Sequence, residues 1–392
     1  MAHRATIAKT EQFLANLRAD DGSSATNRAD LLRQLDDLRR SLQTPPDSLI
    51  LIIINACVEL GVFSVVPPDT PTSITSIAET VGVDASILSR FLNALVLEGF
   101  FTQPSPGAYS HTPASLALHD QDSQVFWKAS VAMPLDRVLH TATYLRTHTL
   151  AQTRDPTQNA YSWSLDLQGL SFFEALERDD VYGQVWKRSM ELTAKVQFAT
   201  GMFPWQSLKE DVAKSGRAFV VDVGGGRGNA LVEITKECEK HGFTGEMVLQ
   251  DLARTLEGVS IEGVRNVPYD SFTDLEQPIK DAHVYYLRKV LHDYYDNKAR
   301  HILQQTVNAM GPASRVILNE YILPSEEGGN GLGKDIFPFL MDFSMFICGG
   351  KERNEKQWRE LLDSVGLEVV HIWRHPDTPV QADIECRLKS SQ

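Results

Sequence analysis

The feature that most constrains this chain is its rhythm after Gly216. Short apolar runs alternate with helical patterns there: AFVVDV (218–223), a helix over 229–240, MVLQDL (247–252), VRNVPYD (264–270), HVYYLR (283–288), a helix over 297–310 and RVILNEYI (315–322). Strands this rich in Val, Ile, Leu and Tyr suit a sheet covered on both faces, and the intervening helices supply the crossovers that parallel strands require. The predicted fold class is therefore α/β, a doubly wound and mostly parallel sheet. A helix over 355–365 and two strand-like runs, 368–373 and 380–388, around the turn at His375-Pro376-Asp377 close it.

The first half of the chain has a different texture. Leu31, Leu35, Leu38 and Leu42 recur at four-three-four spacing, the stripe of an amphipathic helix that Pro45-Pro46 stops. Residues 46–65 are apolar nearly all round, as in a helix buried on most sides. From Ser73 to Leu118, two short helices, a sharp turn at Gly82-Val83-Asp84 and a helix from Asp84 to Glu98 precede two strand-like runs around a Pro/Gly turn, the pattern of a winged helix. Residues 121–205 read as helical, with aromatic and Met side chains among charges. Apolar and aromatic walls are what small-molecule cavities use, and Met190 and Phe198 here, with Phe346 further on, are the candidates for such a wall. The expected division is 1–206, helical and winged-helix, and 207–392, the ligand-binding sheet.

Charge narrows the partners. Among 392 residues, 51 acids stand against 38 Lys plus Arg, a net charge of −13 that repels a phosphate backbone unless a basic face compensates. A DNA-reading helix needs Arg, Lys, Asn or Gln at base edges, but the second winged helix offers mainly Arg90 and Asn93 beside seven large apolar residues. It is expected to pack or dimerise, not to read nucleic acid. The four cysteines are scattered, without a CxxC pair or His at ligand spacing, so no disulfide framework and no metal site is expected. The N-terminal residues lack the apolar stretch of a secretory signal, and the greasiest run, 49–54, is too short for a membrane span. A cytoplasmic protein without membrane partners is the reading.

The strand over 218–223 runs into Asp222-Val223-Gly224-Gly225-Gly226-Arg227-Gly228-Asn229 and a helix. Glycines at a strand-to-helix turn let a bulky ligand approach the backbone, where free N–H groups await it. A dinucleotide and an adenosyl cofactor are the alternatives. The dinucleotide fingerprint wants a small residue where Asn229 stands. Asp251, at the end of the next strand, stands where a carboxylate can accept ribose hydroxyls.

Three polar positions follow at strand ends or in loops beyond them: His292 after HVYYLR, Glu320 ending RVILNE, and Glu352 in a loop between two helices. Histidine titrates near neutrality and is a natural proton acceptor, and carboxylates beside it would orient the ring and stabilise the imidazolium.

VVDVGGGRGN, LQDL, YDSF, YYLRKVLHDYYD, VILNEYILP and MDFSMFICGGKERNEKQWRELLDSVGL, in this order and spacing, resemble the class I S-adenosylmethionine-dependent O-methyltransferases of secondary metabolism, the caffeate/flavonoid and fungal natural-product group. The likeness spans about residues 45–388. It implies a Rossmann-like methyltransferase sheet with an N-terminal winged-helix dimerisation domain, a homodimer, S-adenosyl-L-methionine as methyl donor with S-adenosyl-L-homocysteine as product, and a small natural-product substrate. By position it implies a cofactor loop at Asp222, Gly224, Gly225 and Gly226, and ribose and adenine contacts from Asp251 and Leu252. Asp270 and Ser271 fall at further adenine contacts, with Ser271 where the family often has Met. Arg288 stands where many members have Lys. His292 aligns with the general base, Glu320 and Glu352 with the acids that hold it, and Asp342 with a frequent substrate-pocket acid. Two alternatives accompany this reading: an enzyme that binds S-adenosylmethionine without consuming it and catalyses dehydration or a pericyclic rearrangement, and a non-catalytic winged-helix regulator.

Overall fold

The computed structural model describes residues 10, 12–17, 49–196, 198–324, 336–376, 378 and 380–389. The amphipathic helix expected over 30–43 lies outside them. The chain divides into two compact units, residues 1–124 and 125–392.

In the first unit the apolar run forms α1 (Ile50–Glu59) and α2 (Val62–Val65). Ile54, Cys57 and Val58 are buried, whereas Ile52 remains 63% exposed, so among the described residues only one face is covered of a helix expected to be buried on most sides. A three-stranded antiparallel sheet of β1 (Thr72–Ser73), β2 (Phe101–Ser105) and β3 (Ala108–His111), ordered β1-β3-β2, flanks α3 (Ile74–Val81) and α4 (Ala85–Leu97). Asp84 starts α4 by accepting from the Ser86 and Ile87 N–H groups, the usual remedy for unpaired donors at a helix start. Leu88, Leu92 and Leu95 turn inward with Ile77 and Phe101, while Leu97 on the opposite side is 88% exposed. No single described helix is long and apolar enough to cross a membrane; α3 and α4 together meet that test of length and composition but are bent by 113°.

The second unit is a mixed sheet of β4 (Val220–Val223), β5 (Met247–Asp251), β6 (Val264–Pro268), β7 (Val284–Arg288), β8 (Arg315–Leu323), β10 (Leu367–Arg374) and β11 (Gln381–Leu388), in the order β10-β11-β8-β7-β4-β5-β6. The strands from β6 to β8 run parallel, and β11 and β10 return antiparallel as the expected closing pair. A two-residue strand, β9 (Arg353–Asn354), pairs in parallel with the end of β8. Chain order runs outward from β4 to β6, then returns to the other side of β4 with β7. The carboxyl ends of β4 and β7 thus flank the switch point where such sheets open a ligand crevice.

Residues 125–208 pack with this unit. Phe203, Trp205 and Leu208 sit in the core under β4 and α5 (Asn229–Lys240), so the division expected at 206/207 falls inside a continuous core instead of at the 124/125 break. The four cysteines are buried free thiols.

Candidate functional site

A cavity of about 740 Å³ opens at the ends of β4 and β7, within the second unit. Asp222, Gly224, Gly225 and Gly226 line one side, Arg288, Lys289, His292 and Glu352 another, and Met190, Phe198, Trp186 and Met341 supply apolar wall. The sequence-expected Leu252, Asp270, Ser271, Asp342 and Phe346 are not among its lining residues, nor are Asp251 and Glu320.

At the glycine loop, both carboxylate oxygens of Asp222 are buried without a hydrogen-bond partner. Burial pushes this carboxyl up to about 7, against the pull of Arg288 and aided by Asp251. An unpaired buried acceptor costs about 1–3 kcal/mol and is kept where something outside the chain satisfies it. Gly225 packs so close to Asp222 that a Cβ there would lie 2.4 Å from the carboxylate and 2.6 Å from Leu249. In Asp251 one carboxylate oxygen accepts from the Gly226 N–H at 2.8 Å and the other from the Leu252 N–H at 2.8 Å. It fastens the glycine loop to the end of β5, which a position read from sequence spacing alone does not reveal. Asp270 likewise caps its own turn, accepting from Phe272, and the Ser271 carbonyl accepts from His301.

His292 lies in a single turn, Leu291–Asp293, just after β7, with 13% of its side chain exposed. Its Nδ1 donates to Glu352 Oε1 at 2.8 Å, the Glu320 carboxylate stands 3.9 Å from the same nitrogen, and Asp293 is 3.6 Å from Nε2. The two glutamates therefore play different parts. Glu352 holds the ring. Glu320 accepts from the Leu291 N–H at 3.0 Å and holds the backbone beneath it. It does so from the interior of β8, paired with Ala382, not from the strand end expected. Glu352 precedes β9 instead of joining two helices directly, and its N–H donates to Asp342 Oδ1 at 2.8 Å. Asp342 is thereby a brace for Glu352. Phe346 packs toward Tyr144 and Phe343.

Burial, the largest influence, pulls His292 down, but Glu352, Glu320 and Asp293 together outweigh it and set it at about 9. Burial opposes ionisation of Glu352 too, yet the imidazolium beside it holds that carboxyl below its ordinary range, while Glu320 is raised by burial. Sequence spacing predicted no His/Asp/Glu set; in space, donor atoms of His292, Glu320 and Glu352 converge within 4.8 Å, a spacing that also suits a divalent cation. Three segments far apart in the chain make it, so no local motif announces it. The proton shared between Nδ1 and Glu352 occupies one of those donors.

Several supporting residues carry no local signal. Arg353, fully buried, donates to the carbonyls of Leu291 and Tyr294 and to Asp296, and Lys351 N–H donates to the His292 carbonyl at 2.8 Å. Asn319 and Gln381 both donate to the Phe198 carbonyl, and His375 stacks on the Phe198 ring at 4.1 Å, fixing that wall residue. Lys289 adopts φ +55°, uncommon for a side-chain-bearing residue and worth about 1–3 kcal/mol of strain. Its Nζ is buried without a hydrogen-bond partner, 3.1 Å from the centroid of the Tyr321 ring.

A family model described as an O-methyltransferase domain matches residues 148–368, and one described as an O-methyltransferase dimerisation domain matches residues 48–121. The chain is 31% identical to O-methyltransferase hmp5 of Hypomyces subiculosus, over 98% of each. Among solved structures, that of OxaC aligns with TM-score 0.82 and 25% identity over 99% of this chain and 100% of the other. A structure described as a pericyclic reaction enzyme aligns with TM-score 0.76 at 21% identity, over 99% and 100%, a likeness of fold.

Proposed function

The chain belongs to the O-methyltransferase family, and from that premise we propose that it methylates a phenolic or enolic hydroxyl of a small natural product, with S-adenosyl-L-methionine as donor and His292 as general base. The observation that carries this reading is the 2.8 Å contact of His292 Nδ1 with Glu352, in a cavity continuous with the Asp222–Gly226 loop. The unpaired carboxylate of Asp222 and the close-packed backbone at Gly225 fit a large polar cofactor that brings its own donors. Asp222, Gly224, Gly225, Gly226 and Arg288 would hold it, and Asp251 keeps the loop in shape. That cofactor supplies a methyl group already activated on a sulfonium.

What remains for the chain is proton transfer and alignment. With Nδ1 committed to Glu352, Nε2 is the nitrogen left to take a proton from an acceptor hydroxyl. The carboxylates around the ring stabilise the imidazolium so formed, and the apolar wall of Met190 and Phe198 excludes water and aligns the acceptor. Dimerisation through residues 48–121, a cytosolic location and release of S-adenosyl-L-homocysteine complete the proposal.

Label transfer from methyl-labelled S-adenosylmethionine to an aromatic polyketide panel tests it. His292→Ala should lower kcat by roughly 10²–10⁴-fold, and EDTA should leave transfer unchanged. Full turnover in the mutant would remove His292 from the base role. Loss in EDTA restored by Mg²⁺ would hand the His292–Glu320–Glu352 triangle to a metal, and an isomerised or dehydrated product without methyl gain would favour cofactor binding without consumption.

A further inference from the structure

Resting on the O-methylation reading, we infer that Lys289 selects the acceptor: its ammonium holds a second, negatively polarised oxygen beside the hydroxyl that His292 serves, so the site takes ortho-acyl phenols or enols of 1,3-dicarbonyls in preference to isolated hydroxyls. Lys289 lines the same cavity as His292 and directly follows β7, three residues before it. The aromatic face of Tyr321 covers one side of the ammonium, and no oxygen of the described residues accepts a hydrogen bond from it. A buried cation with unused donors in a ligand cavity calls for an acceptor that arrives with the ligand.

The neighbourhood narrows what that acceptor is. Glu320, Glu352 and Asp383 favour the charged lysine and Arg288 disfavours it, yet none of the three carboxylates pairs with it directly. Burial pulls Lys289 down to about 8, and an anionic oxygen would restore the ammonium. The backbone at Lys289 is held in its strained conformation by its N–H donating to the Asn319 carbonyl at 3.1 Å, so the side chain leaves the strand end in a set direction. Once deprotonated, an ortho-acyl phenol or a 1,3-dicarbonyl enol spreads its charge over two oxygens. One can face His292 and the other Lys289. An isolated phenol fills only the first place and leaves the buried ammonium without a partner, which is how a polar site rejects an analogue.

The test is binding, independent of turnover. The full-length protein with S-adenosylhomocysteine is titrated with 2-acetyl-1-naphthol and with 1-naphthol, and the hydroxyl of the bound probe is titrated by its absorbance. The acetyl probe should bind about tenfold tighter than 1-naphthol, and its bound hydroxyl should ionise about one pH unit lower than in K289M. K289M and K289Q should lose the preference while still binding 1-naphthol, and K289R should retain it. A wild type with no preference, or with no binding of either probe, overturns the inference, as does a preference that survives in K289M or K289Q. Preference without label transfer to any acceptor would sink the methylation reading and leave Lys289 standing; transfer without preference would do the reverse.

Discussion

At the scale of single residues, the proposed base His292 gives the reaction a predicted pH dependence. Its ordinary value is 6.5, and in the folded protein it stands at about 9 because three carboxylates outweigh burial. A base must be neutral to act, so kcat/KM should climb from neutrality toward pH 9. Glu352→Gln removes the nearest charge and should move that climb to lower pH while reducing kcat; an unmoved profile would show that Glu352 does not tune the ring. The stability consequence has a definite sign. A pKa raised on folding means the bound proton stabilises the native state below pH 6.5, and that contribution fades as pH rises through about 9. Thermal unfolding across this window should show the fade in the wild type and a smaller one in Glu352→Gln. His292, Glu320 and Glu352 could each be singled out in the sequence, and the family resemblance grouped them. The division of labour between them was not legible there, because it depends on a 2.8 Å contact against one of 3.9 Å between segments that meet only in the fold.

At the scale of elements, the loop between α6 (Phe337–Cys348) and β9 is pressed against the turn that carries His292. A Cβ on Gly350 would lie 2.1 Å from the His292 carbonyl oxygen and 2.7 Å from the Asp293 carbonyl carbon. Both are backbone atoms and cannot rotate away. Gly350→Ala should therefore part the two loops, destabilise by about 1–3 kcal/mol as overpacking does, and cut turnover through a displaced His292. A drop in melting temperature with a matching loss of kcat in fully folded protein is the expected result; unchanged turnover would show that the loops are not coupled. The helices and strands here were readable from periodicity almost to their ends: the helix expected over 229–240 is α5 residue for residue. The strand expected over 315–322 is β8, Arg315–Leu323, but its pairing with β11 and β9, which sets Glu320 opposite Ala382, is not local information.

At the scale of the whole molecule, the residues matched by the dimerisation model leave large apolar side chains uncovered, Ile52 and Leu97 among them. Apolar area of this kind on a folded unit marks an interaction surface. Light scattering should give twice the chain mass, and Ile52→Glu with Leu97→Glu should shift it toward one. A wild type at one chain mass across micromolar concentrations would refute the homodimer. The net charge of −13 sits comfortably with small-molecule chemistry and says nothing about which half of the chain carries it.

By itself, the sequence determined the alternation of strand and helix, the glycine turn after β4 and the candidate base. Each of these rests on neighbours along the chain, on backbone periodicity and on the steric freedom of particular residues. Only the tertiary structure decided that Asp251 fastens the loop, that Asp342 braces Glu352, that residues 125–208 belong with the sheet, and that Lys289 ends buried beside His292 with its donors unused. Those outcomes depend on burial and on distances of a few ångströms between segments tens to hundreds of residues apart, quantities that exist only once the chain has closed on itself.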